Sequence, residues 1–170
     1  MDIEQLVLRR TDGIPNSALP AIVYRGVFEG TLDREALARA FESLFGDNGW
    51  PAAWRNGVFA YDHFHCDSHE VLGIYDGRAE LVLGGENGPR CVVERNDAVV
   101  IPAGVSHRRV RANGRFACVG AYPSGQGMGF ETPSAKDCDV FVQRVERVAL
   151  PSADPVLGIA GAIVEVWRAI

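Results

Sequence analysis

"HFHCDSHEVLGIYDGRAELVLGGE", residues 63–86, decides the fold, and its clearest part is the alternation in "RAELVLGG" (78–85). Ala79, Leu81 and Leu83 share one face of an extended segment, and Arg78 and Glu80 take the other. That alternation marks a strand packed on one side and wet on the other. The same character continues in both directions: "GVFAYDHFH", "EVLGIYDG", "RAELVLGG", "RCVVER", "AVVIP", "HRRVRA" and "RFACVGAYP" are all short strand-like runs. Between them stand Asn56-Gly57, Asp76-Gly77, Gly84-Gly85, Asn96-Asp97 and Asn113-Gly114. Such pairs tolerate the positive φ of tight turns, so each reads as a hairpin. Many short strands with frequent turns predict an all-β sandwich or barrel.

One helix interrupts this pattern. "TLDREALARAFESLFG" (31–46) places Leu37, Phe41, Leu44 and Phe45 at helical spacing, with Thr31 or Asp33 to cap its start and Gly46 to end it. Near the C-terminus, "GAIVEVW" (161–167) reads as a further strand, pairing with "PAIVYRGV" (20–27). Repeats, low-complexity segments and long linkers are absent, so 170 residues form one domain.

Composition excludes several functions. A net charge of -5 provides no basic field for a phosphate backbone, so nucleic acid is not an expected partner. The longest uncharged apolar run, "PVLGIAGAIV" (155–164), is about half of the roughly 20 residues a membrane span needs, so no membrane partner is expected. "MDIEQLVLRR" has acids where a secretory signal needs a basic start. A cytoplasmic protein is expected. Cys66, Cys91, Cys118 and Cys138 are irregularly spaced and read as free thiols.

Three of the four histidines, His63, His65 and His69, crowd beside Glu70, and the fourth, His107, lies in "VVIPAGVSHRRV" (99–110). Residues two apart on a strand share a face, so His63 and His65 can reach one ion. Imidazole suits iron, nickel, copper or zinc, and a carboxylate adds hard character and charge. On a straight strand His69 would join that face and Glu70 would point away. A bulge at 66–68 would reverse the two.

The spacing resembles the cupin superfamily. Gly57, His63, His65, Glu70 and Gly77 fall at the intervals of the first cupin motif; Pro102, Gly104 and His107 match the second, with Asn96 standing for its first Gly and Arg111 for its last Asn. The resemblance covers about residues 57–111, and it extends to small bacterial single-cupin proteins without an established activity. It implies a jelly-roll β-barrel holding a metal on His63, His65, Glu70 and His107. A single cupin domain would then span 1–170, with an N-terminal strand and helix in 1–50, the core barrel in 51–123 and a C-terminal extension in 124–170. Exposed sheet edges and the resemblance together imply a homodimer.

Four ligands on an octahedral divalent ion (Fe, Mn, Ni or Zn) leave two positions for a small-molecule substrate or dioxygen. The expected function is a metal-dependent, dioxygenase-like enzyme on a small organic acid or diol. A non-redox isomerase or lyase, or a small-ligand binding or storage protein, stands beside it. His69 is the histidine left for general-base work. Arg109 and Arg111 alternate with His107 and could hold a carboxylate, and Tyr61 shares the parity of His63. These three are candidate substrate contacts.

Overall fold

In the computed structural model, which describes residues 1–170, ten elements follow one another. They are β1 (Asp2–Leu6), β2 (Ala21–Arg25), α1 (Arg34–Asp47), β3 (Ala52–Asn56), β4 (Glu70–Leu83), β5 (Arg90–Glu94), β6 (Ala98–Ile101), β7 (His107–Ala121), α2 (Cys138–Val145) and α3 (Ala162–Trp167). All strand pairs are antiparallel, in the order β1-β2-β6-β4-β7-β3, with β5 added alongside β4. The all-β expectation holds.

The two long strands, β4 and β7, form a ribbon whose ladder runs from Val71 opposite Ala121 to Leu83 opposite His107. Glu70 and His107 therefore belong to opposite ends of it. A straight ribbon would hold them roughly 40 Å apart, yet Glu70 Oε2 and His107 Nε2 are 3.1 Å apart. The ribbon is folded over on itself. Its corner lies between the pairs Asp76–Ala117 and Arg78–Asn113, where β7 carries extra residues and the register shifts. Gly77 sits in the corner at φ +73, and a Cβ there would lie 1.8 Å from the Arg115 carbonyl oxygen.

This corner corrects the hairpins expected at Asp76-Gly77 and Asn113-Gly114. "EVLGIYDG" and "RAELVLGG" are one strand, as are "HRRVRA" and "RFACVGAYP". A positive-φ glycine serves a bulge as well as a turn, and the inward row Leu72, Ile74, Ala79, Leu81 continues through it into one core. "GVFAYDHFH" is not a regular strand; it makes only isolated bridges, His63 to His107 and Phe64 to Glu131. "GAIVEVW" is α3, with Ile163 and Trp167 buried four residues apart. Short apolar runs satisfy both periods, and β2 has no free edge because β1 and β6 flank it.

Folding over gives the sheet two faces. The inner face carries Leu72, Ile74, Leu81, Leu83, Val93, Val99 and Cys118, with no helix across it. The outer face (Ile22, Tyr24, Val71, Val100, Val119) is covered by α1 and α3. The Asp33 side chain accepts from the Ala36 amide at 2.8 Å and starts α1 as expected, and Leu37, Phe41 and Phe45 turn inward. Gly73 leaves room for Phe41, whose ring would lie 2.6 Å from a Cβ there. Buried Asp154 anchors the C-terminal segment, accepting from the Tyr24 hydroxyl and from the amides of Val156, Leu157 and Ile163. No helix is long and apolar enough to cross a membrane.

Asn96, at the position where the cupin pattern has Gly, adopts φ 78. Asparagine tolerates this region, and its side chain accepts from the Phe28 amide (3.0 Å) and donates to the Phe28 carbonyl (2.9 Å).

Gly77→Ala should destabilise the protein by about 3 kcal/mol or more, because strand backbone must move. Gly114→Ala, at φ +66 with open space around its Cβ, should cost only about 1 kcal/mol. Urea denaturation of both variants checks the difference; equal losses would remove the corner as a constraint.

Candidate metal centre

The chain enters the site through a bend. Residues 63 and 64 make their bridges, Cys66 and Asp67 bend the backbone, and β4 begins at Glu70. The bend reverses the alternation, so Glu70 joins the inward row of Leu72 and Ile74 while Val71 packs on the outer face. His107 arrives from β7, after a short connection from Ile101, which pairs with Glu70.

His65, Glu70 and His107 are all buried, and one ligand atom from each lies within 4.8 Å of the others. Glu70 Oε2 is 3.1 Å from His107 Nε2 and 3.4 Å from His65 Nε2. His63 lies alongside, its ring centroid 4.1 Å from that of His107 and 6.3 Å from that of His65. It lines the same cavity but is not part of the three-residue cluster.

The protonation of these rings follows from their other nitrogens. Nδ1 of His63 faces the Tyr61 carbonyl (3.2 Å), that of His65 the Gly129 carbonyl (2.8 Å) and that of His107 the Val105 carbonyl (3.2 Å). A carbonyl only accepts, so each Nδ1 carries the hydrogen, and in neutral imidazole Nε2 is a bare lone pair. Two such lone pairs converge on Glu70 Oε2, which is buried without a hydrogen-bond donor. Bare nitrogens and a carboxylate oxygen facing one another require a cation between them, and the backbone carbonyls on the Nδ1 atoms hold the tautomer a metal needs. The donor set fits a divalent ion.

Charges agree. Burial favours the neutral acid at Glu70, but His65 and His107 outweigh it and hold the carboxyl well below its usual range. Burial disfavours a proton on His65, but the Glu70 carboxylate more than compensates and raises it. Without a metal, a proton on His65 fills the same role. His63 is lowered to about 3, by burial and then by His107, so its ring stays neutral.

Behind Glu70 stands a chain of hydrogen bonds. Trp54 Nε1 donates to the Tyr122 hydroxyl (2.9 Å), which donates to Glu70 Oε1 (2.7 Å). One carboxylate oxygen is thereby fixed and the other left to the histidines. Tyr122 and Trp54 were not expected from the sequence. Parity along β7 would have found Tyr122, since Phe116 and Cys118 already mark the inward row. Trp54 lies on Gly120, whose Cβ would come within 2.1 Å of its ring. In front of the cluster opens a cavity of about 280 Å³, walled by Val58, Phe59, Leu72, Met128 and Phe130. Met128 and Phe130 come from a distant loop that carries no local signal.

The remaining expected site residues are not brought to this cavity. His69 turns to the outer face: its ring is 4.8 Å from Trp167, Nδ1 accepts from the Ala103 amide (3.0 Å), and Gln126 receives its backbone amide (2.9 Å). The bend that turns Glu70 inward turns His69 out. Arg111 pairs with Glu80 (2.8 Å) and is largely exposed, and Arg109 does not line the cavity. A register shift between the pairs Leu81–Arg109 and Glu80–Arg111 turns Arg111 onto the face of Glu80. Tyr61 is half exposed and stacks on Phe59 at the rim, 4.9 Å between centroids.

The folded ribbon and its buried His/Glu cluster define a cupin-like, all-β protein. More particularly, the chain belongs to the family of the uncharacterized protein YjlB of Bacillus subtilis (strain 168), to which it is 34% identical over 155 residues, 91% of this chain and 90% of that one. No family model matches. Among solved structures it is similar to a DUF861 family protein of Thermotoga maritima, 25% identical over 42% of this chain and 75% of that one, TM-score 0.31. A 3,4-ketoisomerase of Helicobacter canadensis is 19% identical over 57% of this chain and 72% of that one, TM-score 0.34. Procruciferin, an 11S globulin of Brassica napus, is 19% identical over 70% of this chain and 28% of that one, TM-score 0.40.

Tyr122→Phe should lower divalent-metal affinity about tenfold or more, because Glu70 Oε1 loses its donor; zinc titration against a chromophoric chelator measures it. His69 yields a separate expectation. Burial lowers its pKa to about 4 from 6.5, so the unfolded chain binds the proton more readily. Its contribution, about 3 kcal/mol, is then present above pH 6.5 and lost as pH falls through about 4. Urea melts of the metal-free protein across this window should show a shallower pH dependence for His69→Gln than for the parent.

Proposed function

We propose that the chain is a metal-dependent enzyme, dioxygenase-like in chemistry, that acts on a small organic molecule presenting oxygen donors. His65, Glu70 and His107 would hold the ion, with His63 as fourth ligand. The observation that carries the metal reading is the convergence of two bare Nε2 atoms on an undonated, buried carboxylate oxygen. Bound there, a divalent ion would polarise a ligand oxygen, and iron would add electron exchange with dioxygen.

The lining supports an oxidative reaction over a non-redox isomerase or lyase. Isomerisation and elimination need a group that moves a proton at the substrate. Besides the four proposed ligands, His63, His65, Glu70 and His107, the one titratable side chain on the cavity is Tyr122, and its hydroxyl is committed to Glu70. His69 faces Trp167 and is absent from the lining, which supports leaving the general-base role expected for it out of this reading. What the chain's residues do is hold the ligands in one tautomer, keep Glu70 ionised and line the cavity with an apolar wall.

The homodimer expected from the sequence belongs to the same proposal, with β1 at its contact. β2 lies inside the sheet, whereas β1 is an edge with Ile3 45% and Val7 72% exposed just beyond its end. Edge strands with exposed apolar residues invite pairing.

Purified protein should carry close to one divalent ion per chain by elemental analysis, and His107→Ala should lose it. Glu70→Gln should weaken binding far more than His69→Ala; the reverse order contradicts the ligand set. With iron(II), an oxygen electrode should record uptake when a chelating diol or acid is added, and His63→Ala should abolish it. Product formation with zinc and no oxygen uptake would favour the isomerase reading, and binding without product a storage role.

A further inference from the structure

The cavity's walls restrict what can occupy it, and the inference drawn from them rests on the metal reading above. No lysine or arginine lines the cavity. Of the arginines nearest in sequence, Arg55 is engaged by Glu35 and Glu42, Arg108 lies beside Asp62 and Arg111 pairs with Glu80, while Arg109 stays outside the lining. A phosphate, or a carboxylate beyond the one that chelates, would enter without a counter-charge. Polar readers are equally scarce. The Trp54 indole N–H and the Tyr122 hydroxyl are spent on the chain that ends at Glu70, which leaves exposed Asn56. A polyhydroxylated sugar would lose its water and gain few partners.

Apolar surface is abundant by contrast. Phe59 and Phe130, 5.6 Å apart between centroids, stand at the mouth with their edges toward His63, at 4.9 and 5.9 Å. They are 42% and 47% exposed, and Met128 beside them is 61% exposed. Large side chains gathered in the open around a cavity mark a ligand surface rather than a core. The volume of about 280 Å³ lies at the small end of ligand pockets, which run from ~300 to 1,000 Å³.

We propose that the ligand is a compact molecule with an apolar, planar aromatic body that chelates through two neighbouring oxygens, and that Phe59 and Phe130 select that body. The metal end of the site reads the oxygens, and the two phenylalanines read the ring. Aromatic pairs of this kind add roughly two- to tenfold in affinity each, before the area the ring buries is counted.

Benzohydroxamate and acetohydroxamate test this directly, since they share a chelating group and differ in the phenyl ring. Calorimetric titration of the zinc-loaded protein should show benzohydroxamate binding at least about tenfold more tightly. Phe130→Ala should remove most of that preference while leaving acetohydroxamate affinity and zinc content unchanged, and Phe59→Ala should act in the same direction. Tartrate and gluconate should bind more weakly than benzohydroxamate. Equal affinity for the two hydroxamates, an unchanged preference in both variants, or tighter binding of tartrate, with zinc in place, overturns the selectivity and leaves the metal site standing. Failure of the parent protein to take up zinc overturns the metal reading, and this inference with it.

Discussion

The fold-over of the β4–β7 ribbon at Gly77 is the constraint on which the rest depends. It brings the first residue of each strand, Glu70 and His107, from opposite ends of one ladder to within 3.1 Å. It also encloses the inner apolar face without help from any helix. Everything else is arranged around that closure. The bend at Cys66 and Asp67 turns Glu70 inward, the bridge from His63 to His107 lays the histidine segment across the opening, and α1 and α3 cover the outside.

The site gains its chemistry from hydrogen bonds made on its far side. Backbone carbonyls on the Nδ1 atoms choose the tautomer, and Tyr122 chooses which carboxylate oxygen remains free. The result is a concentration of lone pairs in a dry place, which is costly unless a proton or metal ion occupies it. Without a metal a proton on His65 serves instead, since the Glu70 carboxylate outweighs burial and raises the pKa of that ring. The burial of Glu70 and the histidines then keeps the electrostatics strong.

Much of this was legible in the sequence, and the limits have physical causes. Period-two alternation in "RAELVLGG" identified strands because one sheet face is buried, and Asp33 marked the start of α1 because caps are local. His65, Glu70 and His107 came from the cupin resemblance; strand spacing alone left His69 and Glu70 as alternatives, because the bend at Cys66 and Asp67 has no periodic signal. The corner at Gly77 was mistaken for a hairpin because a positive-φ glycine looks the same in both. α3 was mistaken for a strand because six apolar-rich residues fit either period. Arg109 and Arg111 share parity with His107, but a register shift on β7 between the pairs Leu81–Arg109 and Glu80–Arg111 breaks that parity and lets Arg111 pair with Glu80. Phe130 and Met128 reach the cavity from a loop far along the chain, so only tertiary structure could place them.

Anomalous diffraction at the zinc edge, from crystals of the zinc-loaded protein, tests the central claim most directly. One peak per chain is expected, about 2.0–2.2 Å from Nε2 of His65 and His107 and from Oε2 of Glu70, with His63 Nε2 completing the set. A peak held by other residues, or zinc bound in solution with no peak between Glu70 and the two histidines, would contradict the account.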